Sequence, residues 1–357
     1  MAADSKINQG KIDGLKPEDP RVEHKFIDVG GGITYHYLLA NSTTGEPPVA
    51  TIVLIHGWPD FSYGWRYQVP FLQSLGLRVV VPDMLGYGRT SAPDDHAEYS
   101  FKKMCGHIAT LIQSVTGGAP IILGGHDWGG YFVWRMTRYY PDLITAVFSM
   151  CVPYEPPSPK VLTLEQIVER APNFQYQLQL ASPVAETLVN RSPATLRGFL
   201  NGLYGGRTPE NEILFNTDVG IRDADMLERI QQSPMVSPAM MDYYVQEFSR
   251  SGMHGPCNWY RTRLVNGEEE LPLAEEDARA GKPRQFAQPA MIVMAELDAA
   301  LPPRLMQNQD QYFEKPLKKA VVKGASHWVM VQCPSESNQL IGEFLQGVLG
   351  DKIKASL

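Results

Sequence analysis

The sequence predicts an α/β fold in which a mostly parallel sheet is covered by helices and interrupted by a helical insertion. Short, nearly continuous apolar runs of strand length alternate with helical stretches through roughly the first 150 residues. Two more such runs appear only near the C-terminus, after a long gap. Strands that are apolar along their whole length, rather than at alternate positions, are typical of a parallel sheet buried on both faces.

Length and composition set broad limits on the organisation of the chain. With 357 residues, and about 150 residues in a typical domain, two domains are expected. Hydrophobic residues make up 43% and charged residues 20%, which is a globular composition with too much apolar material for a disordered protein. The 32 Lys and Arg against 39 Asp and Glu leave a net charge of −7 without a basic block. Nucleic acid is therefore not expected as a partner.

The chain ends and the cysteines indicate the compartment. The first twenty residues are polar and lack the apolar stretch of a signal peptide, and no window approaches the roughly 18 apolar residues of a membrane span. The C-terminal Ala355-Ser356-Leu357 lacks the basic middle residue of the Ser-Lys-Leu peroxisomal signal. We therefore expect a cytoplasmic protein without a membrane span. Four cysteines stand singly and are expected to be reduced, without a disulfide or a metal: Cys105, Cys151, Cys257 and Cys333.

The strands of the sheet are expected where apolar residues run together. Helical stretches of about 10–15 residues separate several of these runs, as they do in parallel sheets built from strand-helix-strand units. In chain order the expected strands cover residues 33–39, 51–55, 78–81, 120–123, 145–150, 291–295 and 319–322.

The gap between the two groups of strands is expected to be helical. It opens with four prolines within residues 153–159, and proline can neither continue a helix nor donate to a strand ladder. Thr163 and Gln166 have the spacing of a capping box. Further helix starts are predicted where a capping hydroxyl precedes a proline, at Ser182-Pro183, Ser192-Pro193 and Ser237-Pro238.

The helical segment is predicted to be an insertion in one sheet domain. It is expected to end near Tyr260, and the acidic residues 268–277 are expected to lead back to the sheet. We therefore predict a helical cap, or lid, of residues 154–262 inserted in a core made of residues 1–153 and 263–357.

A predicted strand, a sharp turn and a predicted helix meet around Asp127. The strand runs into Gly124-Gly125-His126-Asp127-Trp128-Gly129-Gly130, and residues 131–140 then form a predicted helix. A nucleophile elbow has this context, because the nucleophile takes a strained backbone conformation that requires small neighbours. A carboxylate that attacks an sp3 carbon forms an alkyl ester, whereas a serine forms an acyl ester. Asp127 is therefore a candidate nucleophile, the alternative being a loop aspartate that caps the following helix.

An ester on Asp127 needs a base for its hydrolysis and an acid that orients the base. Nucleophile elbows are followed in chain order by the acid and then by a histidine. Asp298 and His327 each follow a predicted strand, at the edge where parallel sheets place their sites. Of the eight histidines, His327 alone fits this order. Glu296 and Glu155 stay open as alternatives to Asp298.

The turn after the strand at 51–55 supplies a second candidate element of the site. It reads His56-Gly57-Trp58-Pro59-Asp60, and a tight turn here can direct the amide of Trp58 towards the same point as the amide of Trp128. Two such amides form an oxyanion hole for a developing negative charge. The simplest role of His56 is to stabilise the turn, and residues 82–88 are also predicted to be a structural turn.

Four motifs together resemble those of the α/β-hydrolase-fold epoxide hydrolases: His56-Gly57-Trp58-Pro59, Asp83-Met84-Leu85-Gly86-Tyr87-Gly88, Gly125-His126-Asp127-Trp128-Gly129-Gly130 and Gly324-Ala325-Ser326-His327-Trp328. The likeness is closest to the hydrolase domain of the soluble type and spans about residues 20–345. It implies an α/β-hydrolase fold with a mostly parallel eight-stranded sheet and an inserted helical cap. Asp60 departs from the family, which often has glutamate there.

The resemblance implies two acids in the cap. Family members use two cap tyrosines whose hydroxyls donate to the epoxide oxygen, and the segments around Tyr176 and Tyr260 are similar to those that carry them. An aromatic residue on a cap helix is more often a packing residue, as Tyr243 and Tyr244 illustrate. Haloalkane dehalogenases share the nucleophile motif but have no need of this pair. A dehalogenase that uses the same aspartate is therefore the alternative.

The implied function is hydrolysis of an apolar epoxide to a vicinal diol, through a covalent ester on Asp127 and without a cofactor. The expected partners are the epoxide and water, and the oligomeric state is left open. An apolar substrate is suggested by Trp58, Trp128, Phe61 and the methionine-rich residues 235–241. A serine esterase is disfavoured because aspartate takes the nucleophile position. A non-catalytic relative is disfavoured because every member of the triad has a candidate.

Overall fold

The computed structural model describes residues 12–353 and contains an eight-stranded sheet. The strands that build it are β1 (Glu23–Asp28), β2 (Thr34–Ala40), β3 (Thr51–Ile55), β4 (Arg78–Pro82), β5 (Ile121–His126), β6 (Ile144–Met150), β9 (Ala290–Ala295) and β10 (Lys318–Val322). They lie in the order β1-β2-β4-β3-β5-β6-β9-β10. The pairs β1–β2 and β2–β4 are antiparallel and the other five pairs are parallel. The predicted mostly parallel eight-stranded sheet of the α/β-hydrolase fold is confirmed.

The apolar runs located the central strands closely. Most of the expected strands agree with the structure within one residue at each end, and β5 alone runs three residues further, to His126. All residues of β3, β5 and β9 are buried, which explains their unbroken apolar sequence. Strand β1 was not expected from the sequence, because this edge strand is polar and its residues are exposed or half-buried.

The described residues divide into two compact units. The first contains residues 12–84, 101–156 and 276–353, and it holds the eight-stranded sheet. Its helices are α1 (Gln68–Ser74), α2 (Phe101–Thr116), α3 (Trp128–Tyr139), α11 (Val329–Gln332) and α12 (Pro334–Leu349). The amphipathic α2 buries Phe101, Met104, Cys105, Ile108, Leu111 and Ile112 along one face.

The second unit contains residues 85–100 and 157–275. Its helices are α4 (Leu164–Arg170), α5 (Tyr176–Ala181), α6 (Pro183–Val189), α7 (Pro193–Leu203), α8 (Pro238–Phe248), α9 (His254–Arg261) and most of α10 (Arg263–Ala280). A two-stranded hairpin, β7 (Phe215–Asn216) and β8 (Gly220–Ile221), lies between α7 and α8. The hairpin was not expected from the sequence, because two-residue strands leave no periodic pattern.

The helix starts predicted in this unit are confirmed. Thr163 and Gln166 form a complete capping box at the start of α4. Ser182, Ser192 and Ser237 each accept a backbone N–H at the start of α6, α7 and α8, and each is followed by proline at the first helical position. These caps satisfy N–H groups that have no partner inside a helix.

The ranges of the compact units differ from the expected division in three places, since residues 263–275 also lie in the second unit and residues 154–156 lie in the first. Residues 85–100 belong to the second unit, although they precede the expected insertion. The acidic residues 268–277 do not form a connection but lie within α10, which continues through Pro272. Glutamate, leucine and alanine are strong helix formers, and they favour a helix here in spite of the proline. The role of the insertion as a cap, with the boundaries 154–262, stays a prediction.

Two sequence predictions concern the chain ends and the membrane. No helix within residues 12–353 combines the length and the apolar character that crossing a bilayer requires. The tripeptide Ala355-Ser356-Leu357 and the first eleven residues of the polar N-terminal stretch lie outside the described residues.

Candidate active site

The backbone at Asp127 has the geometry of an elbow between β5 and α3. Asp127 has φ 53° and ψ −124°, and residues other than glycine rarely adopt a backbone conformation with φ in this left-handed range. The turn is crowded, since a Cβ atom on Gly57 would lie 2.4 Å from the Cβ atom of Asp127. A Cβ atom on Gly129 would lie 2.3 Å from the carbonyl oxygen of Ile55. The glycines of both motifs therefore allow the strained residue and its neighbours to pack.

The two carboxylate oxygens of Asp127 lie in different surroundings. Oδ1 accepts a hydrogen bond of 2.7 Å from the amide of Trp58. The amide of Trp128 acts to lower the pKa of this carboxylate. Oδ2 lies 3.5 Å from Nε2 of His327. One oxygen is thus held by a backbone amide while the other faces the imidazole.

Asp298 lies on the other side of the imidazole. Its Oδ2 lies 2.7 Å from Nδ1 of His327, and its Oδ1 accepts amide hydrogen bonds of 3.0 and 2.9 Å from Ala300 and Leu301. These three contacts orient the buried carboxylate. The structure therefore brings Asp127, His327 and Asp298 together in one line of contacts.

The two alternative carboxylates have other surroundings. Glu296 contacts Nζ of Lys323 at 2.8 Å and accepts a hydrogen bond from the amide of Gly324. The side chain of Glu155 is exposed, and its backbone carbonyl accepts from Arg135. Asp298 is accordingly the carboxylate that contacts His327 through a hydrogen bond.

Burial and neighbouring charges act against each other on the triad. Burial raises the pKa of Asp127, while His327 and the amides of Trp58 and Trp128 oppose this effect. For Asp298, burial acts to raise the pKa, but the charge and hydrogen bond of His327 outweigh it and lower the pKa. Burial would lower the pKa of His327, but the attraction of Asp298 and then of Asp127 raises it to about 9.

His56 has the structural role that the sequence suggested. Its Nε2 accepts a hydrogen bond of 2.8 Å from the amide of Met84, so Nδ1 carries the proton and donates to the carbonyl of Gly57 at 2.9 Å. Burial lowers the pKa of His56 to about 4, which favours this neutral form. Asp60 is fully buried, accepts from the amide of Phe61, and adds to the negative charge around His327.

His126 has a contact with the site that the sequence analysis missed. Its Nε2 lies 2.8 Å from the carbonyl oxygen of His327, to which it donates. Burial lowers the pKa of His126 to about 3, so the ring is neutral. Its position immediately before Asp127, at the end of a fully buried strand, was the available signal.

The cysteines form no disulfide in the described part of the chain. The sulfur of Cys151 and one nitrogen each of His126 and His327 lie within 4.8 Å of one another. His126 Nε2 and His327 Nδ1 already have hydrogen-bond partners, and the Cys151 sulfur lies 3.5 Å from the His327 carbonyl. We therefore assign no metal to this group.

Tyr176 and Tyr260 lie together in the second unit. Tyr176 is the first residue of α5 and Tyr260 the penultimate residue of α9. Their ring centroids are 6.2 Å apart and the rings meet edge to face at 75°. Both side chains are buried. The Tyr176 hydroxyl accepts a hydrogen bond of 3.5 Å from Nε2 of Gln177, and the Tyr244 hydroxyl receives one of 3.2 Å from Tyr204.

Comparisons with known proteins agree on one family. Residues 50–334 match the family model described as alpha/beta hydrolase fold. The chain is 51% identical to epoxide hydrolase srdG of Neurospora crassa over 344 residues, which cover 94% of this chain and 99% of that protein. It is 32% identical to bifunctional epoxide hydrolase 2 of Sus scrofa over 91% of this chain, and it spans 55% of that longer protein.

Solved structures give the same result. Epoxide hydrolase A of Mycobacterium thermoresistibile superposes with a TM-score of 0.74 at 26% identity, covering 93% of this chain and 99% of the other. Epoxide hydrolase VrEH1 of Vigna radiata has a TM-score of 0.76 at 25% identity, covering 92% and 98% of the two chains.

Proposed function

The chain belongs to the epoxide hydrolases of the α/β-hydrolase fold, and we propose that Asp127, His327 and Asp298, with Tyr176 and Tyr260, carry out the hydrolysis of an epoxide. The observation that carries this proposal is that the two carboxylate oxygens of Asp127 have different partners. Oδ1 is held by the amide of Trp58, which leaves Oδ2 as the oxygen that attacks.

In the first half-reaction, Oδ2 of Asp127 attacks one carbon of the epoxide ring. The carbon–oxygen bond of the ring breaks, and its electron pair passes to the epoxide oxygen. The hydroxyls of Tyr176 and Tyr260 hold this oxygen, and one of them supplies the proton that it needs. The product is a β-hydroxyalkyl ester of Asp127, with Oδ1 as its carbonyl oxygen.

In the second half-reaction, His327 removes a proton from water, and the hydroxide attacks the ester carbonyl. Before the first step the negative charge of Asp127 helps to raise the pKa of His327. Ester formation neutralises Asp127, so the pKa of His327 falls. The imidazolium then loses its proton, and the neutral imidazole can act as a base. Asp298 keeps its charge and stabilises the imidazolium that forms.

The oxyanion of the second step develops on Oδ1. In the free protein the amide of Trp58 already donates to Oδ1 of Asp127, and the amide of Trp128 favours the charged form of the carboxylate. They can hold the tetrahedral intermediate without rearrangement, which is the condition under which an oxyanion hole is effective. When the intermediate collapses, the bond between the Asp127 carbonyl carbon and Oδ2 breaks, and the departing alkoxide takes the proton of the His327 imidazolium to give the diol. The carboxylic acid left on Asp127 gives its proton back to the tyrosinate, which restores the carboxylate and the tyrosine hydroxyl.

The proposed substrate is a small apolar epoxide, the only other partner being water, and no step requires a cofactor. A cytoplasmic location and a detoxifying role are also part of the proposal. The detoxifying role depends on which epoxides the protein accepts. The dehalogenase alternative would use the same Asp127 and His327. The relatives named as epoxide hydrolases, together with the adjacent Tyr176 and Tyr260, favour epoxide opening.

Product analysis on a panel of substrates tests this function. The panel contains aliphatic, aryl and fatty-acid epoxides, with a haloalkane as the contrast. We expect diol from at least one epoxide class and no halide release. Halide release without diol formation would instead identify a dehalogenase.

A further inference from the structure

The helix that carries Tyr176 is short and is held in place by its surroundings. Helix α5 has six residues, and a helix of this length is not stable by itself. On one side, the Gln179 side chain makes hydrogen bonds of 3.0 and 2.7 Å with the carbonyl and amide of Ile221. At its start, the amide of Tyr176 donates to the carbonyl of Thr217. These contacts attach α5 to the β7–β8 hairpin.

A single guanidinium attaches the other end of α5 to α9. Arg261 directly follows Tyr260 and ends α9. Its Nε donates to the carbonyl of Ala181 at 2.8 Å, and its Nη2 donates to the carbonyl of Ser182 at 3.1 Å. These carbonyls lie at the C-terminal end of α5, where backbone acceptors have no partner inside the helix.

The remaining donors of Arg261 are also engaged. Nη1 donates to Oδ1 of Asn258 at 2.9 Å, within α9. Nη2 lies 3.2 Å from the Glu186 carboxylate on α6, and this carboxylate also contacts His254 at 3.0 Å. The Arg261 side chain is largely buried, at 17% exposure. Only a planar group with five fixed donors can reach all these acceptors together, so lysine is not an equivalent replacement.

We propose that Arg261 is a positioning residue for epoxide opening, which sets the separation of the Tyr176 and Tyr260 hydroxyls by joining α5 to α9. The inference rests on the proposed function of the two tyrosines as acids. Both hydroxyls must reach one oxygen atom, and an error of about 1 Å in such an arrangement can cost about a hundredfold in rate. Arg261 therefore acts on the ring-opening step and not on ester hydrolysis, which belongs to Asp127 and His327.

Single-turnover kinetics on the full chain test this inference, because they separate the two steps. The variants are Arg261→Lys and Arg261→Gln, with Arg191→Lys as the matched control. Arg191 lies between α6 and α7, and it also donates to a backbone carbonyl of the second unit, that of Ala224. We expect the rate of ester formation to fall about 10- to 100-fold in both Arg261 variants, while the rate of ester hydrolysis changes less than about twofold. The control should keep both rates.

The inference is overturned if ester formation keeps its normal rate in Arg261→Lys, or if both steps slow equally. Chemical rescue gives a second measurement if these variants fold poorly. Adding guanidinium to Arg261→Gly should restore ester formation, and failure of the ion to do so also counts against the inference. The proposed function is tested separately by Tyr176→Phe and Tyr260→Phe. If these variants open the ring at the normal rate, the tyrosines are not the acids. If they are slow while Arg261→Lys is not, only the role of Arg261 is refuted.

Discussion

Nδ1 of His327 donates to Oδ2 of Asp298 across 2.7 Å, and this contact fixes which nitrogen of the imidazole faces the nucleophile. Because Nδ1 is engaged, Nε2 is the nitrogen directed at Asp127, 3.5 Å from its Oδ2. In this orientation His327 can remove a proton from a water at the ester, and it does not compete with the Trp58 amide for Oδ1 of Asp127. The two half-reactions can therefore be separated by mutation.

Replacing His327 with glutamine should stop the reaction after the first step. Because His327 is the base that activates the water, the ester on Asp127 should accumulate, and steady-state turnover should fall about 10²- to 10⁴-fold. Intact-protein mass spectrometry after incubation with an epoxide should show an adduct of the substrate's mass on Asp127. The exposed His96 provides the control, and His96→Gln should show normal turnover and no adduct. Absence of the adduct in His327→Gln would contradict the covalent mechanism.

Removing the hydroxyls of both Tyr176 and Tyr260 should prevent the first step. In the double variant Tyr176→Phe plus Tyr260→Phe the epoxide oxygen has no donor, and ester formation should slow by at least about 10³-fold. Stopped-flow measurement of a single turnover reports this rate. Tyr244→Phe removes a buried hydroxyl from the same unit and should react normally. Normal ring opening in the double variant would exclude the two tyrosines as acids.

The oxygen that enters the product should come first from the protein. Since Oδ2 of Asp127 forms the ester bond and water attacks the carbonyl carbon, the diol released in a first turnover carries Oδ2. A single turnover with excess protein in ¹⁸O-labelled water should therefore yield unlabelled diol, with label retained in Asp127. Mass spectrometry of the diol and of the peptide containing Asp127 measures both. Labelled diol in the first turnover would show that water attacks the epoxide directly.

The raised pKa of His327 should make stability depend on pH. The folded protein holds this proton up to a pKa of about 9, compared with 6.5 for an ordinary histidine. The protonated imidazole therefore stabilises the fold fully below about pH 6.5, and the contribution is lost as the pH rises through 9. Its size is on the order of 3 kcal/mol. Between pH 6 and pH 10, the free energy of unfolding measured with urea should fall further in the native protein than in His327→Gln. Equal losses in the two proteins would contradict this prediction.

The close approach of Gly57 to Asp127 should not tolerate a side chain. Gly57→Ala places a Cβ atom 2.4 Å from that of Asp127, so the turn must move. We expect a loss of about 2 kcal/mol in the free energy of unfolding and at least a tenfold loss of turnover. Gly347→Ala is the control, because its Cβ atom would meet nothing within 4 Å in helix α12. This control should be stabilised by about 0.5–1 kcal/mol. A Gly57→Ala protein with native stability and turnover would refute the packing argument.

The sequence was sufficient for features that depend on neighbouring residues. The buried strands were found because parallel strands are apolar throughout, and Asp127 was found because a strained turn between a strand and a helix needs glycine on both sides. The hydroxyl caps of α6, α7 and α8 were found because the cap and the first turn are adjacent in the chain. His327 was also found from its neighbours in the chain, because it comes shortly after the last strand of the sheet.

Tertiary structure decided the features that join distant residues. Asp298 was one of three candidate acids, and the choice depends on a contact with His327 across 29 positions of the chain. His126 contacts the carbonyl of His327 across 201 positions, and Arg261 reaches Ala181 and Ser182 across about 80. No periodicity marks such pairs, because a hydrogen bond between separate elements depends on how the elements pack. The sequence determined which residues are candidates for the chemistry, and the packing of helices and strands decided which of them meet.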